Sequence, residues 1–106
     1  MRKRSVNYRE DLMRALKNPE EAAAYINAAL EEGDARVLLT ALKNVADANG
    51  GIGKLAAKTK LARESLYRML SKKGNPELRS LELILHTFGL KLSVQSEPQH
   101  LRNAGI

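Results

Sequence analysis

Lys54-Leu-Ala-Ala-Lys-Thr-Lys-Leu-Ala-Arg-Glu-Ser-Leu-Tyr-Arg-Met-Leu-Ser-Lys-Lys-Gly-Asn-Pro-Glu-Leu-Arg79 is the stretch that decides the fold. Two short apolar-periodic segments are joined there by a tight connection, with cations on their outer faces. The stretch holds eight Lys or Arg and two Glu, a local balance of +6. Residues 1–4 carry +3, residues 5–53 carry −3 and residues 80–106 carry 0, so the whole-chain +6 is concentrated in one block. Charge spread evenly would serve solubility alone; a basic block on a helix pair points to a polyanion.

The spacing of Leu55-Ala56, Leu61, Leu66, Leu70 and Leu81 is that of a helix-turn-helix module, placed at 53–71. A small residue, Ala56, lets the two helices cross closely. Leu61 plugs the turn against the core, and Leu66 anchors the second helix while its other faces stay free. An α-helix fits the major groove of B-DNA, and residues near its N-terminus reach base edges. The second helix begins near Arg63, so Arg63, Glu64 and Tyr67 are expected to face the groove. Arg63 can donate two bonds to a guanine; Glu64 can accept from cytosine or orient Arg63. Ser65 and Arg68 sit at the edge of that surface, within reach of backbone or base. Lys54, Lys58, Thr59, Lys72, Lys73 and Asn75 are expected to hold phosphates and set register. Any one of these charges alone reads as solvated surface; the set gains weight by clustering on the module with the right apolar anchors.

Working outward, the periodicity predicts further helices. Residues 1–7 form a basic arm. Tyr8 to Lys17 makes a helix with Tyr8, Leu12, Ala15 and Leu16 on one face. Asn18-Pro19-Glu20-Glu21 is a start signal: a capping Asn, a Pro suited to the first helical position, and two Glu at the positive end of the helix dipole. The second helix runs to about Glu32 with Ala22, Tyr25, Ile26, Ala29 and Leu30 inward, and Gly33 stops it. Asp34 caps a third helix to about Ala48, with Val37, Leu38, Ala41, Leu42 and Val45 inward. The first helix of the module spans about Gly53 to Thr59, burying Ile52, Leu55 and Ala56. The second spans about Arg63 to Leu70, burying Leu66, Met69 and Leu70. After a loop, Ser80 caps a last helix, Leu81 to Phe88, stopped by Gly89. Leu90, Leu92 and Val94 alternate with Lys91, Ser93 and Gln95, a strand pattern. A lone strand needs a partner for its backbone groups. Either it pairs with another chain or it is short irregular chain over the core. Residues 8–95 are read as a single helical domain and 96–106 as a tail.

Composition agrees and excludes other classes. Apolar residues make up 43% of the 106 and aromatics only 4%, with Ala and Leu dominant, which favours packed helices. The chain has no cysteine, so it has no disulfide, no thiolate nucleophile and no common zinc cluster. No apolar run approaches the roughly 18 residues that span a bilayer, and no apolar run follows Arg2-Lys3-Arg4 as in a secretory signal. These absences lead to the expectation of a soluble, cytoplasmic protein without a membrane partner. His86, in a predicted core helix, and His100 are isolated and lack metal-ligand spacing. Gly50-Gly51-Ile52-Gly53-Lys54 lacks the spacing and the preceding strand of a phosphate loop. Ser65, Ser71 and Ser80 have no nucleophile setting, and no acid/base pair stands out. No catalytic residue, metal site or cofactor is expected, and an enzyme is the class least supported.

Residues 53–90 also resemble the lambda-repressor-type (Xre/Cro-like) helix-turn-helix, through Asn75-Pro76, Leu81 and Phe88-Gly89-Leu90. More closely, residues 12–93 resemble the "probable addiction module antidote" proteins, a HigA-like antitoxin group. The shared features are Leu12-Met-Arg-Ala-Leu-Lys-Asn-Pro-Glu-Glu-Ala-Ala-Ala-Tyr-Ile-Asn-Ala-Ala-Leu-Glu-Glu-Gly-Asp34, Ala41-Leu-Lys-Asn-Val-Ala46, Arg63-Glu-Ser-Leu-Tyr-Arg68 and Gly74-Asn-Pro76. The resemblance implies an all-α, lambda-repressor-like bundle with an N-terminal helix pair and a short C-terminal strand. It implies an antitoxin that binds a small, basic RNA-cleaving toxin of the RelE/HigB type and represses the operon encoding both. A homodimer would place two recognition helices one helical turn apart on double-stranded operator DNA of inverted-repeat sequence. The other readings are a stand-alone, phage-like regulator without a toxin, and a scaffold that binds protein without touching DNA. Many such modules carry Gly in the turn and a polar cap before the second helix, where this chain has Lys60 and Ala62. A left-handed Lys costs ~1 kcal/mol relative to Gly, and a missing cap ~1 kcal/mol more.

Overall fold

The computed structural model describes residues 7–98, and among them are six helices and no strand. The expected arm, but for Asn7, and the tail beyond residue 98 lie outside the described residues. The helices are α1 (Tyr8–Ala15), α2 (Pro19–Glu31), α3 (Ala35–Ala48), α4 (Gly51–Thr59), α5 (Arg63–Met69) and α6 (Leu78–Thr87).

The predicted start signals work as local chemistry. The Asn18 side chain accepts from the backbone N–H groups of Glu20 at 2.8 Å and Glu21 at 3.4 Å, and Pro19 fills the first position of α2. Asp34 accepts from the Arg36 N–H at 2.9 Å to open α3. At the far end, Gly89 takes a left-handed φ of +82° beyond α6. Its N–H then bonds the His86 carbonyl at 2.9 Å, while Leu90 N–H bonds that of Leu85 at 2.8 Å. This pair of bonds closes the helix and turns half-buried Leu90 back onto the core.

The centre of the molecule is α3, which packs against α1, α2 and α4; α4 in turn packs against α5 and α6. Leu16, Leu42, Val45, Leu66 and Ile84, from four different parts of the chain, are its most deeply buried large side chains. Polar bonds tie the N-terminal helices together outside this core. Arg9 reaches Asn44 at 3.1 Å and Asp47 at 3.2 Å, and Asn44 donates to the Tyr25 hydroxyl at 2.9 Å.

Several expectations need correcting. Tyr8, Leu30 and Val37 point to solvent rather than inward, while Leu39 and Ala46, absent from the expected inward set of α3, are buried. Helix α4 begins at Gly51 and not Gly53. Helix α6 begins three residues early, with Glu77 in the cap position, no side-chain cap bond and Ser80 inside the first turn. Nothing after Pro76 opposes helical geometry, so the chain enters the helix at once. His86 lies exposed on α6, because Ile84, Leu85 and Phe88 carry that helix's core face. Residues 90–95 form no strand: a single chain offers them no ladder partner, and residues 91–98 are exposed.

The turn between α4 and α5 holds the strain foreseen for it. Lys60 has φ +67°, the one non-glycine residue in the left-handed region among those described. Ala62 occupies the cap position of α5 without a side-chain bond. Relief of the left-handed strain outweighs glycine's extra freedom in the unfolded chain. Lys60→Gly is therefore expected to raise stability by ~0.5–1 kcal/mol, read from the midpoint of urea unfolding at unchanged m-value.

Candidate nucleic-acid interface

Helices α4 and α5 are linked by only Lys60, Leu61 and Ala62, and the link is held by one side chain. Thr59 is 6% exposed. Its hydroxyl donates to the Leu55 carbonyl at 2.8 Å and accepts from the Leu61 N–H at 3.2 Å. Thr59, expected to hold a phosphate, is thus buried here, with its single donor given to the Leu55 carbonyl. A threonine so placed latches the corner that a glycine and a polar cap would otherwise shape.

Beyond the turn, α5 buries Leu66 completely, and Leu70 follows it into the core. With Leu66 as anchor, the helix turns its opposite side outward. Arg63, Glu64, Tyr67 and Arg68 are all exposed, Tyr67 by 54%, while Ser65 is half-buried. Arg68 and Ser65 approach each other at 3.5 Å. Lys54 and Lys58 on α4, and Lys72, Lys73 and Asn75 after α5, are exposed as well. Ten of the eleven residues expected at this surface are therefore open to solvent at least in part, and one is not.

The electrostatics separate the two halves of the molecule. Ion pairs among the described residues join Arg9 and Lys43 to Asp47, Arg14 to Asp11 and Arg36 to Asp34. All of them lie between residues 9 and 47, so no described acid forms an ion pair with a cation of the 54–79 block. Glu64 makes no bond to Arg63 in these pairs or hydrogen bonds, so the expected orienting role of Glu64 is not seen in the unbound chain. The resolved pKa shifts also lie in the N-terminal half. The Asp34 carboxyl is held below its ordinary value, first by the side-chain bond from Arg36 and then by the Arg36 backbone N–H; Arg36 is raised by the same side-chain bond.

One cation escaped the sequence reading. Lys17, in the turn between α1 and α2, lines a cleft with Lys54, Lys58 and Asp47 at the Gly50-Gly51 corner. Nothing local marks Lys17; only the packing of α1 on α3 brings it to the basic side. No group of three or more His, Cys, Asp or Glu is arranged to hold a metal among the described residues. No described helix is long and apolar enough to cross a membrane.

No solved structure matches the chain. A Haemophilus influenzae protein described as uncharacterized is 31% identical over 85 residues, which cover 80% of this chain and 87% of that protein. A family model described as "Probable addiction module antidote protein" matches residues 7–96, the whole six-helix fold with its basic turn and loop. On that match, the chain belongs to the family of probable addiction module antidote proteins.

Proposed function

We propose that this protein is the DNA-binding antitoxin of a toxin–antitoxin pair, which neutralises a small basic toxin of the RelE/HigB type and represses its own operon. The observation that carries the reading is the exposed cationic surface around α5, free of ion pairs among the described residues, on a member of the antidote family. In this reading α4 and α5 are a lambda-repressor-like (Xre-type) helix-turn-helix of a HigA-like chain. Arg63, Glu64, Tyr67 and Arg68 read bases, with Ser65 beside them. Lys54, Lys58, Lys72, Lys73 and Asn75 hold phosphates, joined by Lys17. The protein acts in the cytoplasm as a regulator and not as an enzyme.

The toxin is met on α2. Helix α2 with its C-cap carries Glu20, Glu21, Glu31 and Glu32 and no cation, all four exposed, with the exposed Leu30 beside the last two. That combination suits a basic protein surface with an apolar tip. The dimer uses residues 90–95, whose alternating Leu92 and Val94 are exposed and whose backbone is open to strand pairing.

The decisive experiment is a mobility shift of the purified protein on its own promoter, beside co-purification with the product of the neighbouring gene. Promoter binding without a co-purifying toxin would favour the stand-alone regulator, and a toxin without promoter binding the protein-only scaffold. The roles of individual residues are tested by titration across operator variants. Arg63→Ala should relax preference at one base pair at a cost of ~1–3 kcal/mol, whereas Lys72→Ala should weaken all sequences alike and reduce the salt slope by about one. Uniform loss from both changes would refute this division of labour.

A further inference from the structure

Gly53 sits inside α4, where glycine weakens a helix and alanine would strengthen it. Its backbone does not require glycine, since it is absent from the residues with positive φ. What occupies the space of the missing methyl is Arg63. A Cβ built on Gly53 would stand 3.0 Å from Arg63 Nη2, 3.5 Å from Cζ and 3.7 Å from Nε, the three nearest atoms apart from its chain neighbours and the nearby backbone of its own helix. The guanidinium thus lies against the bare Cα of the preceding helix. Arg63 makes no ion pair or hydrogen bond with any described residue, so its donors stay uncommitted while the guanidinium, Nη2 foremost, rests at Gly53.

We infer that Gly53 is a positioning residue for Arg63: the absent side chain forms a seat that fixes the guanidinium fork at the N-terminal end of α5. The inference rests on the DNA-binding reading above for its consequence, though not for its geometry. An arginine has many rotamers, and one that already rests in a single orientation loses less freedom when it engages a base. Glu64 does not supply this orientation in the unbound chain; the contact with α4 does. A methyl at 3.0 Å is tighter than ordinary packing, and the flexible partner is the one that yields, so the fork moves while the helices stay.

The test compares wild type, Gly53→Ala, Arg63→Ala and the double variant. Fluorescence anisotropy is read on the promoter duplex and on its single-base-pair variants at fixed salt. Wild type should discriminate about tenfold at the pair read by Arg63. Gly53→Ala should reduce this to about threefold or less, with the salt slope unchanged because the phosphate contacts remain. The double variant should match Arg63→Ala. The melting temperature of Gly53→Ala should rise by about 3–6 °C, which excludes unfolding as the cause of the loss. Unchanged discrimination in Gly53→Ala, or a further loss in the Arg63→Ala background, overturns the inference. Nitrogen relaxation at Arg63 Nε gives a reading without DNA: it should report restricted motion in wild type and free motion in Gly53→Ala. Equal mobility in both overturns the seat, whereas failure of wild type to bind its promoter overturns the DNA-binding reading and leaves the seat to this measurement.

Discussion

Leu66→Ala is expected to lower the melting temperature by roughly 10–30 °C, the equivalent of about 2–5 kcal/mol. Leu66 is 0% exposed, and its neighbours in the core come from separate helices that cannot all close on the vacated volume. The loss combines the transfer of a large apolar group with the cavity left behind. Small single domains hold only about 5–15 kcal/mol in all, so the variant is expected to stand near the edge of folding at body temperature. Tyr67→Ala, one position along and largely exposed, is the internal control. It should stay within about 0.5 kcal/mol of wild type in calorimetry. Equal effects from the two would mean that α5 is not anchored as described.

Gly74→Ala is expected to be the most damaging change outside the core, at about 3 kcal/mol in urea unfolding. A methyl on Gly74 would overlap the backbone carbonyl of Met69 and stand 2.7 Å from the Arg68 carbonyl oxygen. Both are main-chain atoms of α5, so no side-chain rotation relieves the clash. The close approach is part of how α5 ends. The Ser71 hydroxyl donates to the Arg68 carbonyl at 2.9 Å, and the Gly74 N–H donates to that of Ser71 at 2.9 Å. Forcing this loop away also displaces Lys72, Lys73 and Asn75. On the proposed DNA-binding reading, promoter affinity should therefore fall even at temperatures where circular dichroism shows the variant fully helical. A Gly74→Ala protein of wild-type stability would show that the loop lies elsewhere in solution.

Much of this architecture was legible in the residues. Asn18, Asp34 and Gly89 declare helix ends by local chemistry, and local chemistry needs no knowledge of the rest of the fold. The anchors Leu55, Leu66 and Leu70 were legible because each sits at helical spacing on a short helix with one buried face. Periodicity failed where tertiary context decides. Leu39 and Ala46 fell outside the expected stripe because α3 is covered on several sides and buries more than a single face. Leu30 and Val37 fell inside their stripes, yet beside the Gly33 corner they stay 52% and 38% exposed. Thr59 shows the limit for the candidate site. A threonine beside lysines looks like a phosphate ligand, and only the geometry reveals its hydroxyl already committed to Leu55 and Leu61. Gly53 was read only as the start of its helix; that it lies inside α4 with Arg63 against it emerges from the fold alone.

With seven residues, α5 is about two turns long. Segments so short have almost no helicity of their own in water. Its shape is imposed by the sockets that receive Leu66 and Leu70, and vanishes when they open. Amide protons of α5 should accordingly exchange in step with those of the deepest helices rather than ahead of them. The order of this surface and the integrity of the core then become one event: no half-melted form is expected that still presents Arg63 and Tyr67 in order, and heat, denaturant or a cavity dissolves the surface at the moment the interior gives way.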